Sequence, residues 1–494
     1  MNRNRTRRSF GWSGHGPGRD DRRPNAVSCA AVGRSLAAVL FGTFTLRFST
    51  GLTGALLVYY LADLPKHGGE PVDALVVGFM AATFFIAELA LSPVFGVLSD
   101  RWGQRPVMQL GPVFGGVAVV MTGLTTSIPV LGVTRLLEGS STAASVPSIL
   151  GYIARATSID EILRGRAVAR FELATLAGLG VGMVVAGPLW ELVGPVGFFL
   201  NAGIYACSWV IYRFGVRELP ASLEAATPAQ AHYGWRRYWK VLRSSHVWLL
   251  APTWIAVNAA IGLWTSQSIF QLVKEPDPQF SDQLLMGGFS PVQVSVGLAL
   301  GLLIFFAGLL YWGGRFGSLR RTSILFFGIL GGILTVACAW GINHGAAQPL
   351  AVQLLLILGV AFGLFVLAGA TPAALGLLAD ISEAYPLDRG AIMGLYSVFL
   401  ALGQITGSLI GGEAAQVDGI DGVLVATLVL VLVALLPLWA LRRYEHRVAI
   451  GPPVVLAHEE AGLVGGGGPA SGSAALADPM PPSAAEVRAN PEEA

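Results

Sequence analysis

Four ionisable residues stand inside long apolar runs, where a charge is costly to hold. They are Arg47 in TLRFST, Glu88 in FIAELAL, and Arg135 with Glu138 in TRLLEG. Such groups face a cavity or each other. Arg135 and Glu138 are spaced i, i+3 and share one helix face. They either neutralise each other locally or set a proton-accepting carboxyl beside a guanidinium. Arg47 lies thirteen residues beyond Arg34, and Glu88 twelve before Asp100. At about 1.5 Å per residue, both sit roughly 18–20 Å from the same end of adjacent antiparallel helices. Equal depth permits an ion pair that fixes packing. It also permits an Arg that binds an anionic group and a Glu that takes a proton. A proton-coupled cycle needs a group whose charge changes with state; Glu88 is the first candidate and Glu138 the second. Asn258, Trp264 and Gln267 in WIAVNAAIGLWTSQSIFQ, with Gln404 in FLALGQITG, could add hydrogen-bonding groups and a stacking face to a substrate cavity.

These residues need long apolar elements to carry them. The chain is 53% hydrophobic and only 13% charged, against about a quarter charged in soluble domains. Twelve apolar stretches are long enough for a bilayer core, which takes around 20 helical residues: 34–62, 74–98, 107–126, 128–154, 168–191, 195–216, 246–272, 292–313, 322–342, 349–378, 390–413 and 422–441. In lipid each must be a helix, because no water satisfies its backbone. Of the 32 Lys and Arg, 28 fall in the tails and the even-to-odd connections. Positive charge favours the cytoplasmic side of short loops, so both termini are expected in the cytoplasm of a cell whose cytoplasmic membrane holds the chain. The same split supports an even number of spans.

The expected fold is an all-α integral membrane protein with two pseudo-symmetric six-helix bundles, 34–216 and 246–441. A basic tail at 1–33 and a low-complexity tail at 442–494 are expected to be disordered. Residues 217–245 form a cytoplasmic linker; its basic, aromatic GWRRYWKVLRS end suits either a helix on the inner membrane surface or a solvated connector. The three cysteines, Cys29, Cys207 and Cys338, have neither metal nor disulfide spacing.

The loop GVLSDRWGQRP at 96–106 separates spans two and three. Gly96 and Gly103 allow close helix approach and an unusual turn. Asp100 can accept from helix N-terminal amides or pair with Arg101 or Arg105. Such contacts hold in one packing of the helices and break in another, which makes a conformational latch; a charged loop that only fixes orientation is the plainer alternative. An offset of 214 residues carries DRWG at 100–103 onto GRFG at 314–317. In the second half, Asp380, Glu383 and Arg389 form a charged hinge after span ten and a candidate second gate. Small residues recur at four in Gly178-Gly182-Ala186, Gly297-Gly301 and Gly403-Gly407-Gly411, a spacing that lets helices approach closely.

The 96–106 loop resembles the signature G-x-x-x-D-R/K-x-G-R/K/Q-R/K of the major facilitator superfamily. RLLEG at 135–139 resembles that family's R-x-x-x-G pattern, and GPLW at 187–190 the core of its antiporter pattern. Met183 replaces the first Gly of the antiporter pattern, Glu191 and Leu192 its last pair, and Gly314 stands where the second-half loop would be acidic. The resemblance implies alternating access, a latch stabilising the outward-facing state, and an influence of Arg135 on proton movement.

The expected function is a secondary active transporter of a small molecule, proton-coupled, with import or export unassigned. It is expected to act as a monomer, with no cofactor, metal or nucleic acid. A polytopic membrane enzyme would need a catalytic constellation, yet no H-E-x-x-H, P-loop or nucleophile elbow is present. A non-transporting receptor-like or scaffold protein is the other alternative; retained intramembrane charge argues against it.

Overall fold

A computed structural model describes residues 26–158, 161–218, 243, 247–315, 319–383 and 389–449. Most of both expected tails and nearly all of the linker, including its candidate surface helix, lie outside those residues. The first six helices are α1 (Ala26–Ala62), α2 (Ala74–Trp102), α3 (Gln104–Gly123), α4 (Ile128–Ala156), α5 (Glu161–Val193) and α6 (Val196–Val210), the last continued by a π-helical turn, Ile211–Gly215. There follow α7 (Val247–Val273), α8 (Pro291–Gly313), α9 (Arg321–Asn343), α10 (Leu350–Leu367), α11 (Ala370–Glu383) and α12 (Arg389–Ala449). No strand occurs among the described residues.

Among the described residues, nine helical segments are long and apolar enough to cross a membrane. The twelve expected stretches differ from these nine for three physical reasons. Helix α4 carries Arg135, Glu138 and a run of Ser and Thr. Helix α6 is only 15 residues long before its π-helical turn. Helix α12 is continuous by hydrogen bonding but breaks at Asp418 and at Gly419, whose φ is +57°. Gly403 lies against α7 at Ile255 and Asn258, and Ala434 accepts from Thr253 Oγ1 at 3.3 Å. One residue on each side of the break therefore meets the same part of α7, so the limbs of α12 run antiparallel.

Local chemistry sets the helix ends. Asp73 caps α2 by accepting from Val76 N at 2.9 Å. Ser290 and Gln293 form a reciprocal capping box at α8, with Pro291 at its first position, where its missing N–H costs nothing. Gly103, at φ +91°, turns the chain from α2 into α3 in one residue. Between α10 and α11 Gly369 N bonds to Val366 O instead of continuing the helix, and Trp312 Nε1 donates to Phe365 O at 3.1 Å.

Packing follows the small residues. A Cβ on Gly178 or Gly182 would meet the backbone of α1 at Phe44 and Phe48; one on Gly403 or Gly407 would meet α7. These two stripes are close-packing seams. Gly297 and Gly301 have the same spacing but open space beside them, so the expectation of close approach fails there. One apolar core is built by residues of α1 and α3–α6, such as Leu36, Met108, Ile149 and Tyr205. A second joins α7, α9, α11 and α12 around Trp254, Ile324 and Leu438. A third mixes early and late helices: Leu56, Tyr59, Val77 and Trp190 with Leu263, Phe270, Val294 and Val423.

Candidate functional site

The intramembrane charges converge. Arg47 on α1 is 9% exposed and donates from Nη1 to Thr142 Oγ1 on α4 at 3.3 Å. Arg135 and Glu138 form a buried ion pair one helical turn apart. The Arg135 guanidinium also lies over the Phe84 ring, 5.2 Å from its centroid, a cation–π geometry. Gly139 lets α4 come down on α2, since a Cβ there would meet the Phe84 carbonyl and Ala87. Among the described residues Glu138 Oε1 has no well-aligned donor; the Thr53 hydroxyl beside it donates to Ser49 O at 2.8 Å.

Arg47 and Glu88 make no ion pair, although the Arg47 charge still acts on Glu88 at longer range. It also acts on Glu172 of α5. Glu172 stands beside Arg170, near the start of the apolar run at 168. Helix α5 begins at Glu161, so Glu172 stands about three turns inside it. Buried Ala167 and Phe171, spaced i, i+4, were the available signal for that earlier start.

The candidate cavity residues are largely engaged. Gln267 Nε2 donates to Ala74 O of α2 at 3.0 Å. Asn258 Nδ2 turns back to Trp254 O of its own helix at 2.8 Å. Gln404 Oε1 accepts from Thr265 Oγ1 at 3.4 Å, and Trp264 packs at the edge of the mixed core.

At the latch, Asp100 pairs not with Arg101 or Arg105 but with Arg155 in the last turn of α4, at 3.4 Å. With its amide oxygen turned toward α4, Gln104 accepts from the same guanidinium at 2.8 and 3.1 Å. Arg105 instead ties α3 to the end of α6, donating to Arg213 O at 2.5 Å and lying 3.4 Å from Glu218. Arg101 is exposed. The positive φ of Gly103 fits its expected role. Gly96 does not mediate close approach, because a Cβ there would only touch Pro147 at 3.9 Å. In the second half, Arg321 pairs with Asp380 and bonds to Gly376 O, so a carboxylate from α11 serves the loop that lacks one at Gly314. The side chains of Glu383 and Arg389 lie outside the described residues. Asp100→Asn is expected to slow transport several-fold at unchanged membrane abundance, and Arg155→Gln to reproduce it. Flux into proteoliposomes, normalised to protein incorporated, checks this; unchanged rates in both variants remove the latch.

Hydrogen bonds between described residues of α1–α6 and of α7–α12 all lie at the end away from the latch. Ala74 N donates to Gln416 Oε1 at 3.2 Å. Gly187 N lies 3.1 Å from Ser295 Oγ. Tyr59 OH reaches Pro291 O at 3.4 Å. Glu191 Oε1 accepts from Val292 N at 3.0 Å, a carboxylate at the positive end of α8. The sequence shows Glu191 only as a departure from the antiporter pattern; its role as a cap on another helix needs the fold. Beside this seal Asp63 accepts from Trp190 Nε1 at 3.3 Å and pairs with Lys66 at 2.7 Å. That bond holds the Lys66 amine above the usual lysine range.

Comparison with known proteins agrees with this arrangement. A family model described as Major Facilitator Superfamily matches residues 39–287 and 280–465. Multidrug resistance protein 1 of Bacillus subtilis (strain 168) is 24% identical over 359 residues, 70% of this chain and 82% of the relative. Multidrug resistance protein 2 of the same organism is 25% identical over 338 residues, 68% and 79% of the two chains. Among solved structures, nucleoside transporter NupG overlays with a TM-score of 0.61 at 14% identity, over 83% of this chain and 98% of that one. The human organic anion transporter MFSD10 overlays with a TM-score of 0.55 at 20% identity, over 83% and 99%. With Gly96, Asp100, Arg101 and Gly103 at the junction of α2 and α3 and a family match over most of its length, the chain belongs to the Major Facilitator Superfamily, whose members are membrane transporters.

Proposed function

We propose that the chain is a proton-coupled secondary transporter that moves small organic molecules across the cytoplasmic membrane by alternating access. On this reading, residues 34–216 and 246–441 are two six-helix bundles. Helices α4 and α6 and the two separate limbs of α12 bring the crossings to twelve, with the latch loop and both termini in the cytoplasm. The observation that carries the reading is the one-ended seal. Among the described residues, the hydrogen bonds joining early and late helices lie at the Ala74–Pro291 end. At the other end Asp100 and Arg321 each pair within their own half. That is the arrangement of an inward-facing state. Relatives named for multidrug resistance support export of drug-like compounds.

Proton coupling rests on Glu88. Glu138 is held by Arg135, so protonating it means breaking a buried pair. Glu88 is half-buried and forms no ion pair among the described residues, so it can gain and lose a proton without that cost. Glu88→Gln is therefore expected to abolish substrate movement driven by an imposed pH gradient while sparing substrate exchange at equal pH. Candidate compounds come from a thermal-shift screen against a metabolite and drug library. Gradient-driven uptake that survives Glu88→Gln rejects this assignment.

A further inference from the structure

Residues 282, 344 and 421 are far apart in sequence and have no motif spacing, yet the fold gathers them on the face of the seal. Asp282 lies in the connection 274–290, His344 at the C-terminal cap of α9, and Asp421 just beyond the turn in α12. One donor atom from each lies within 4.8 Å of the other two. His344 Nε2 is 2.8 Å from Asp421 Oδ2, and Nδ1 is 3.8 Å from Asp282 Oδ2. We infer that Asp282, His344 and Asp421 form a binding site for a divalent transition-metal ion of the zinc type, which clamps the connection 274–290 to α9 and α12.

Charge balance favours a metal over a proton. Asp421 is 6% exposed, and a carboxylate that buried needs a cationic partner. Among the described residues, no Lys or Arg forms an ion pair with Asp421 or Asp282; both turn to His344. Protonating the imidazole offsets one of the two negative charges. A divalent ion offsets both. One imidazole with two carboxylates suits zinc-like ions better than magnesium or calcium, which prefer all-oxygen shells.

The surroundings hold the donors in place. Asn343 Nδ2 donates to Asp421 Oδ1 at 2.8 Å, leaving Oδ2 to face His344. The Trp340 ring lies against the imidazole, with centroids 5.2 Å apart. Gln283 Oε1 accepts from Ile420 N and Asp421 N at 2.9 and 3.2 Å, and its Nε2 donates to Asp418 O at 3.0 Å. Leu284 N and Leu285 N bond to the backbone and side-chain oxygens of Asn343 at 2.8 and 2.9 Å. A second hydrogen bond of the kind Asn343 gives Asp421 orients ligand carboxylates in metal sites. Asp282, at 70% side-chain exposure, is free to swing in and complete the set.

The test is calorimetric titration of the full chain in detergent with zinc chloride, beside His344→Gln and Asp282→Asn. Asp282→Asn removes an exposed carboxylate and leaves the buried pair intact, so it keeps the fold. One ion per chain is expected, with affinity at least about 10-fold weaker in each variant, and a zinc-dependent rise in melting temperature in the unaltered chain alone. Absence of binding overturns the site. So does binding that survives either substitution, which would place the metal elsewhere.

Discussion

Gly187→Ala is expected to cut transport by at least about tenfold while leaving the protein folded and inserted. Its missing side chain lets α5 and α8 meet across the seal: a Cβ there would overlap the Pro291 carbonyl and the Ser295 hydroxyl. The obstacle at Pro291 is backbone, so no rotamer change relieves it. Overpacking of this kind costs about 1–3 kcal/mol, and each 1.4 kcal/mol moves a two-state equilibrium tenfold. The strain falls only on the conformer sealed at this end. Within α5 itself, alanine is the better helix former by about 1 kcal/mol. The population should therefore shift toward a form open at the Ala74–Pro291 end. Cysteine placed at Ser295 should become more reactive to a membrane-impermeant label from outside. Gly407→Ala is the control. Its Cβ would overlap the Ala259 carbonyl of α7, a seam inside the second half that both conformers need, so it should lower yield and melting temperature instead. A Gly187→Ala protein with normal flux and unchanged labelling would show that the seal does not open in the cycle.

What the sequence made legible was whatever a single helix decides for itself. The apolar runs gave the helices, and the positions of Arg47, Glu88, Arg135 and Glu138 within them gave the buried charges. Gly103 was legible because a one-residue turn needs a backbone that only glycine adopts freely. Hydropathy could not see helix ends outside the lipid, so α1 starts at Ala26 and α5 at Glu161 rather than at Arg34 and near 168. Choice of partner was the larger loss. Asp100 had two arginines within five residues, and the fold gave it Arg155 from another helix. Glu191 read as a broken motif, and the fold set it on the first turn of α8. Gly297 and Gly301 repeat the spacing of Gly178 and Gly182, but spacing marks a face without saying what covers it.

The buried pair on α4 yields the second large effect. Removing Arg135 alone, as in Arg135→Leu, leaves Glu138 without its counter-charge, 2% exposed and with one oxygen that lacks a donor among the described residues. Breaking a buried pair by removing one partner typically costs about 3–5 kcal/mol. Glu138→Leu leaves Arg135 over the Phe84 ring, which offsets part of the same loss. Replacing both by leucine removes both desolvated charges, and such exchanges are often neutral or stabilising. The double variant is therefore expected to melt above Arg135→Leu, with a coupling on the order of 2–3 kcal/mol. Additive losses in thermal or denaturant unfolding would mean that the two side chains do not stabilise each other. Transport separates the remaining possibilities, because stability and flux need not move together. If the pair serves only to fix α4 against α2, the double variant regains both fold and gradient-driven uptake. If Arg135 governs proton movement, the double variant regains the fold and stays inactive under a pH gradient. The second outcome is the one expected, since the pair sits beside Glu88, with Gly139 packed directly on the Glu88 turn of α2.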